Sequence, residues 1–310
     1  MARSARERPS PCSSPWSSSS ASAWSTGSSD RNNTMISRRS NTMSYVVLLL
    51  FAAFAIYPFI STTLVAFNPP DASVSGLAWP SQWSLDSFIS AWNNPDAGIG
   101  RSLLNSILLS GVVVSVSVFF SILTGYAFGT MKFRGSSLLF PLFVLGLIVP
   151  YEATVIPLYY QFRSFDLIDT YWSMMLPCIG GSMAFGTYWM TSFFKSFPRE
   201  LLEAARTDGS NRWQTLWRVI VPTASSPIFA LATILFIWTW NNLLLAVVMI
   251  SQPELRMVPA ALNFFVGLQY GSNYQITCAA AIMVALPVMI VYYLLQRRYG
   301  ADVLAGSLKG

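Results

Sequence analysis

Histidine is absent from this chain of 310 residues. That removes the Ser-His-Asp and Cys-His nucleophilic constellations and most zinc chemistry at once. Cysteine is scarce: Cys12, Cys178 and Cys278 are the full set. None pairs as Cys-x-x-Cys and two lie in apolar segments, so neither a disulfide framework nor a zinc ribbon is implied. No Gly-x-x-x-x-Gly-Lys-Ser/Thr loop occurs, so the chain has no ATP site of the Walker kind. Charge is scarcer still. Charged residues are 10% of the chain, against about 25% in a soluble domain, too few to clothe a soluble surface.

Apolar side chains make up 53% of the residues and aromatics 15%. They gather into six segments at approximately 44–67, 103–129, 137–162, 171–194, 223–250 and 275–296. Each is near the ~20 residues that cross ~30 Å of hydrocarbon, and helices are the default where no water satisfies the backbone. The composition therefore predicts an all-α polytopic membrane protein with six transmembrane helices over 43–300. Several segments contain proline, and its density in 137–162 predicts a kinked or broken third helix. Gly125-Tyr-Ala-Phe-Gly129 is a small-xxx-small pattern that lets helices approach closely. Residues 1–42 are Ser- and Arg-rich without apolar periodicity, which predicts disorder; Met35 and Met43 offer alternative starts. Residues 301–310 form a short C-terminal tail.

The net charge of +6 is placed for topology and not for nucleic acid. Lys and Arg concentrate before the first segment (Arg31, Arg38, Arg39), after the second (Lys132, Arg134), between the fourth and fifth (195–222) and at the C-terminus. The alternate connections hold only Arg101, Arg163 and Arg256. Positive charge stays inside, so both termini and the 195–222 loop are expected on the cytoplasmic side of the membrane. The 68–102 connection, rich in Trp and Pro, is then external: an interfacial aromatic lid or a surface touching a ligand.

The 195–222 loop is a charged amphipathic island. Pro198 suits a first helical turn, Glu200 and Glu203 complement the positive end of the helix dipole, and Gly209 accepts the left-handed conformation that ends a helix. Leu201, Ala204 and Ala205 share a face at i, i+3, i+4. This predicts a helix over 198–208. A second helix follows, with Ser210 as its expected cap and Trp213, Leu216, Trp217 and Ile220 as its apolar stripe. An elbow of this kind either lies on lipid headgroups or offers small residues to a soluble partner.

The motif Glu203-Ala204-Ala205, three residues, Gly209, nine residues, then Val219-Ile220-Val221-Pro222 resembles the EAA loop of binding-protein-dependent ABC importers. Val219 and Val221 stand where Ile and Leu are usual. The run Pro150-Tyr-Glu-Ala-Thr-Val-Ile-Pro157 is similar to the third span of carbohydrate permeases of the maltose type. Trp238-Thr-Trp240-Asn241-Asn242 is similar to their fifth-span element, with Asn242 where an acid is common. Gly306-Ser-Leu-Lys309-Gly310 resembles the tail of the smaller permease subunit. The resemblance begins near residue 44. It implies that Glu203, Ala204, Ala205, Asp208, Gly209 and Arg212 dock onto a separate ATPase dimer, which holds ATP and magnesium, while this chain binds no cofactor. It also implies a second homologous permease, an extracytoplasmic substrate-binding protein and a sugar as cargo. Amino sugars and glycerophosphodiesters are moved by the same permease type.

For the path itself, Tyr151, Glu152, Tyr159, Trp240, Asn241 and Asn242 are the candidates. A carboxylate at membrane depth is costly unless functional, which singles out Glu152, although a position near the interface explains it equally. Asn241 and Asn242 line a polar cavity or bridge helices. Sugars suit aromatic faces with neutral hydrogen-bonding groups, which Tyr151, Tyr159 and Trp240 supply; such aromatics also serve as packing. An ion-driven secondary transporter is the alternative class. It calls for midplane charges in repeat-related pairs, and Glu152 stands alone.

Overall fold

In the computed structural model, residues 29–70, 72, 79–80, 82–267 and 273–296 are described, with side chains from residue 42 onward. Every regular element among them is helical, as hydrocarbon demands of a backbone that has no water to bond. Two units are distinguished, Met1–Tyr57 and Pro58–Gly310.

The described part of the first unit belongs to helix α1 (Ser29–Ala66). Its side chains from Thr42 to Tyr57 are exposed throughout, and Thr42–Ala66 is long and apolar enough to cross a membrane. The helix starts at Ser29, inside the stretch whose composition predicts disorder. Residues 1–28 and the C-terminal tail lie outside the described residues.

The second unit holds the rest. Helix α2 (Asp86–Trp92) precedes α3 (Ile99–Thr130), and α4 (Ser136–Ile148) and α5 (Tyr151–Ser164) follow. The last two meet at 96° where Pro150 breaks the chain, so the expected kink in the third segment is present. Helix α6 (Tyr171–Lys195) leads to the elbow, formed by α7 (Arg199–Thr207), α8 (Arg212–Thr215), a π-turn (Leu216–Ile220) and α9 (Val221–Thr223). Then come α10 (Ser225–Trp240), α11 (Leu243–Met249), a 3-10 turn (Pro253–Leu255), α12 (Val258–Val266) and α13 (Tyr274–Gln296). The fifth apolar segment, expected as one helix over 223–250, is broken at Asn241–Asn242. By length and composition three helices can cross a membrane, and up to five if each bent pair is one span. Helix α6 has the length, but its Ser, Thr and Gly lower its apolar character.

Those small residues serve the packing. Helices α3 and α6 run together so closely that a Cβ on Gly125 would lie 2.4 Å from Met190 Cβ, and one on Gly129 2.7 Å from Phe194 Cβ. Gly186 of α6 faces Ser121 of α3 in the same way. The Gly125/Gly129 pattern is therefore a true helix-approach motif. Thr124 and Thr187 share a hydrogen bond of 2.8 Å across the seam.

At the Ile99 end of α3, Asn105 fastens the loop after α11. Its amide donates to the carbonyls of Glu254 (2.9 Å) and Arg256 (3.1 Å), and its oxygen accepts from Tyr171 (2.8 Å). Ser106 accepts from the Val258 N–H at 2.9 Å. Polar side chains inside this end of the bundle thus satisfy loop backbone that hydrocarbon could not.

Candidate functional site

The elbow is built from local signals on a buried footing. Helix α7 begins after Pro198 and carries Glu200 in its first turn. Its end is a two-bond Schellman closure. Gly209 sits at φ +79°, its N–H bonds Arg206 O, and Ser210 N–H bonds Ala205 O, both at 3.0 Å. Glycine takes this conformation without a Cβ penalty. The second helix is capped one residue later than expected. Asn211, not Ser210, accepts from Gln214 N–H at 2.8 Å, and Gln214 Oε1 accepts from Asn211 N–H at 3.0 Å. This is a reciprocal capping box, readable as Asn-x-x-Gln in the sequence. Pro222 has no N–H to offer the next turn, and the helix widens to π geometry just before it.

Two faces of the elbow differ. Leu216 and Ile220 are fully buried, and with Phe197, Leu202 and Trp217 they join Ile122 and Tyr126 of α3 and Met190 and Phe194 of α6 in one apolar cluster. The inner face of α7 is therefore Leu202 and Ala205. Of Leu201, Ala204 and Ala205, which share a face by spacing, Leu201 and Ala204 are exposed and Ala205 is buried, so Ala205 is not open to a partner, contrary to expectation. Periodicity does not say which side of so short a helix meets the core; Phe197 and Leu202 decide it. Glu203, Ala204, Asp208 and Gly209 stand on the open side. Arg212 is exposed and leans its guanidinium on Met131 Sδ at 3.7 Å, at the end of α3. Trp213 is exposed, so only part of the predicted stripe is buried. Five of the six loop residues thus stand open, above a base packed into the seam of α3 and α6.

The path candidates divide. Tyr151 and Asn242 meet directly: the phenol donates to Asn242 Oδ1 at 3.0 Å, and Asn242 Nδ2 lies 2.8 Å from the phenol oxygen. Asn242 also caps α11 through Leu245 N–H (3.2 Å) and reaches Cys178 Sγ of α6 (3.6 Å). It thus bridges α5, α6 and α11, the helix-bridging alternative for this pair. Asn241 is exposed and turns its amide back to Ile237 O at 2.8 Å, closing α10. Glu152 is exposed in the first turn of α5, where the dipole favours a carboxylate. Tyr159 packs against the cluster of Val155, Met174 and Met249. Trp240 is 1% exposed against Phe236, ring centroids 5.3 Å apart, so it is packing in this structure. Of the six, Tyr151 and Asn242 are brought into direct contact at two helix breaks; Glu152 and Asn241 are their exposed chain neighbours, while Tyr159 and Trp240 pack in apolar surroundings.

Cys178 was not legible as part of this network, since an apolar run hides it. A second polar contact also escaped the sequence. Asp169, at φ +58° between α5 and α6, accepts from Ser251 N–H (2.6 Å), Ser251 Oγ (2.6 Å) and Gln252 N–H (3.1 Å). Burial pushes its pKa up, but the Ser251 side-chain and backbone bonds and the Gln252 bond together outweigh that and hold it below the usual carboxylate value. Among the described residues no group of His, Cys, Asp and Glu has the arrangement of a metal site.

Apolar helices broken at polar joints, with a polar two-helix elbow packed on α3 and α6, describe a membrane-embedded helical subunit. Residues 117–303 match the family described as the binding-protein-dependent transport system inner membrane component, and the chain belongs to that family. A probable ABC transporter permease protein of Bacillus subtilis, YurM, is 30% identical over 269 residues, 86% of this chain and 88% of that protein. The arabinooligosaccharides transport system permease AraQ of Halalkalibacterium halodurans is 29% identical over 266 residues, 84% of this chain and 94% of its own length. The fold matches a solved chain of a bacterial ABC transporter involved in the import of the acidic polysaccharide alginate, with TM-score 0.71, 22% identity, and coverage of 84% of this chain and 96% of that one. The protein is accordingly a multi-pass permease of the inner membrane, a transport component and not an enzyme, of a kind that works with a separate binding protein.

Proposed function

We propose that the chain is one of two membrane subunits of an ABC importer that brings a sugar, a disaccharide or oligosaccharide, into the cytoplasm. The observation that carries this reading is the two-sided elbow. Its outer side presents Glu203, Ala204, Asp208 and Gly209, and its inner side is buried in the seam of α3 and α6. An ATPase dimer that closes on the outer side pulls the seam with it and changes which side of the membrane the path faces. ATP and magnesium reside on that dimer. Six spans follow from the six apolar segments, and the placement of Lys and Arg puts both termini and the elbow in the cytoplasm. The sugar class is supported by relatives named for arabinooligosaccharide and trehalose/maltose transport; Tyr151 and Asn242 carry neutral hydrogen-bonding groups that now bond each other, so a sugar hydroxyl there would replace that bond.

Proteoliposomes holding the chain, its second permease and the ATPase should take up labelled maltose-type oligosaccharides only when ATP and the binding protein are both supplied. Uptake by this chain alone, driven by an ion gradient, would overturn the reading.

A further inference from the structure

The connection from α1 to α3 forms an exposed surface far from the elbow. Trp79, Trp83, Leu85, Ile89 and Trp92 are all exposed there. Helix α2 has three faces and not two. Ser87 and Ala91 face the bundle. Ser87 Oγ donates to Asn68 O at 3.0 Å, and Ala91 packs with Ala261, Phe265 and Ile276. At about 100° per residue, Leu85, Ile89 and Trp92 fall within an arc of about 60°. Asp86, Ser90 and Asn93 fill another arc of about 60°, centred roughly 100° around the axis from the first. A helix resting on protein and facing only water needs no exposed apolar face. A helix lying along a bilayer surface needs all three: protein beneath, acyl chains to one side and water to the other.

The position agrees. Helix α2 sits at the Ile99 end of α3, where Trp92 overlies Gly100, while the elbow contacts the Thr130 end through Met131. The two are separated by about 48 Å of helix, at about 1.5 Å per residue. The first turns of α3 also expose Leu104, Ile107 and Leu108, and α3 is long and apolar enough to cross a membrane, so this end of the bundle presents apolar side chains of the kind a bilayer covers. Trp83 is tied to the end of α1 by Phe67, centroids 5.4 Å apart, and Trp79 meets Trp83 edge-on at 5.8 Å. Tryptophan is the residue that favours the headgroup level. No Lys or Arg occurs from 82 to 100, so the attraction is apolar burial and not headgroup charge. We infer that α2, with Trp79 and Trp83, is an interfacial anchor seated in the lipid leaflet opposite the elbow. This rests on the membrane reading and not on the cargo.

The test uses the complete transporter in vesicles of phosphatidylethanolamine and phosphatidylglycerol, with Cys12, Cys178 and Cys278 replaced by Ser. Nitroxide labels are placed at Ile89→Cys and, separately, Ser90→Cys. The Ile89 label should collide more with dissolved oxygen than with a water-soluble nickel chelate, and the Ser90 label should do the reverse. Equal nickel access at both positions would overturn the anchor. So would an Ile89 label shielded from both reagents, whether by the companion permease or only on adding the binding protein. A second measurement keeps the native cysteines. Brominated lipid should quench less of the tryptophan emission in W79F/W83F than in the parent transporter, and unchanged fractional quenching would contradict the inference.

Discussion

Replacing Gly125 by alanine should damage the permease although alanine is the better helix former. An ideal Cβ at this position lies 2.4 Å from Met190 Cβ, 3.0 Å from Met190 C and 3.1 Å from Thr191 N. Non-bonded carbons settle at about 3.5–4.0 Å, so α3 and α6 must part by roughly 1 Å. The obstacle is backbone and a Cβ, which no rotamer change can move. Parting the seam also loosens the neighbouring contact of Gly129 with Phe194. Overpacking of this kind costs about 1–3 kcal/mol, and three close contacts against rigid atoms put the cost at the upper end. Alanine returns about 1 kcal/mol of helix propensity, leaving a net loss of about 2 kcal/mol. Gly111 of the same helix is the control, since nothing lies within 4 Å of its Cβ position; G111A should be neutral or slightly stabilising. Thermal melting of the purified transporter in detergent, followed by tryptophan fluorescence, reads both. A G125A melting temperature equal to that of G111A would refute the close-approach account of the seam.

Other consequences are open to direct measurement. N211A removes the capping box and should cost about 1 kcal/mol of elbow stability, read as faster proteolysis within 199–223 in membranes; unchanged cleavage would count against the cap. G209V forces a β-branched residue into left-handed backbone, at roughly 1–2 kcal/mol, and should weaken ATP-driven uptake while the amount of protein in the membrane stays near normal. The Asp169 carboxylate has a folded pKa below its unfolded one, so its stabilising contribution is present above about pH 4 and is lost as pH falls through the lower folded value. A melting series across that window should therefore show a smaller acid loss in D169N than in the parent.

The broad architecture was legible because hydrocarbon leaves few choices. The apolar runs became helices, Pro150 broke the third, and Gly125 and Gly129 marked the α3–α6 seam. Gly209 was readable as a helix end because so few residues accept its backbone. What failed to show was set by tertiary placement. Nothing in Leu201, Leu202, Ala204 and Ala205 says which pair turns inward; the cluster around Phe194 and Phe197 chooses Leu202 and Ala205. The break of the fifth segment at Asn241–Asn242 was masked by apolar residues on both sides, although Asn242 is an ordinary helix cap once the break is seen. Among the path candidates, Trp240 suits a sugar by residue type, but its burial against Phe236 is set by tertiary placement. The Asp169 contact joins positions about eighty residues apart, which no local pattern announces. The Asn211 cap, by contrast, is written locally, because Asn-x-x-Gln is a capping-box pattern.

The central claim is that the outer side of the elbow is where an ATPase takes hold. Its most direct test is co-purification of the ATPase subunit with the permease from membranes, comparing the parent chain with E203K combined with G209P, at matched permease levels. The ATPase should be lost from the purified complex, and ATP-driven uptake should disappear with it. An ATPase that stays bound, with uptake intact, would contradict the claim.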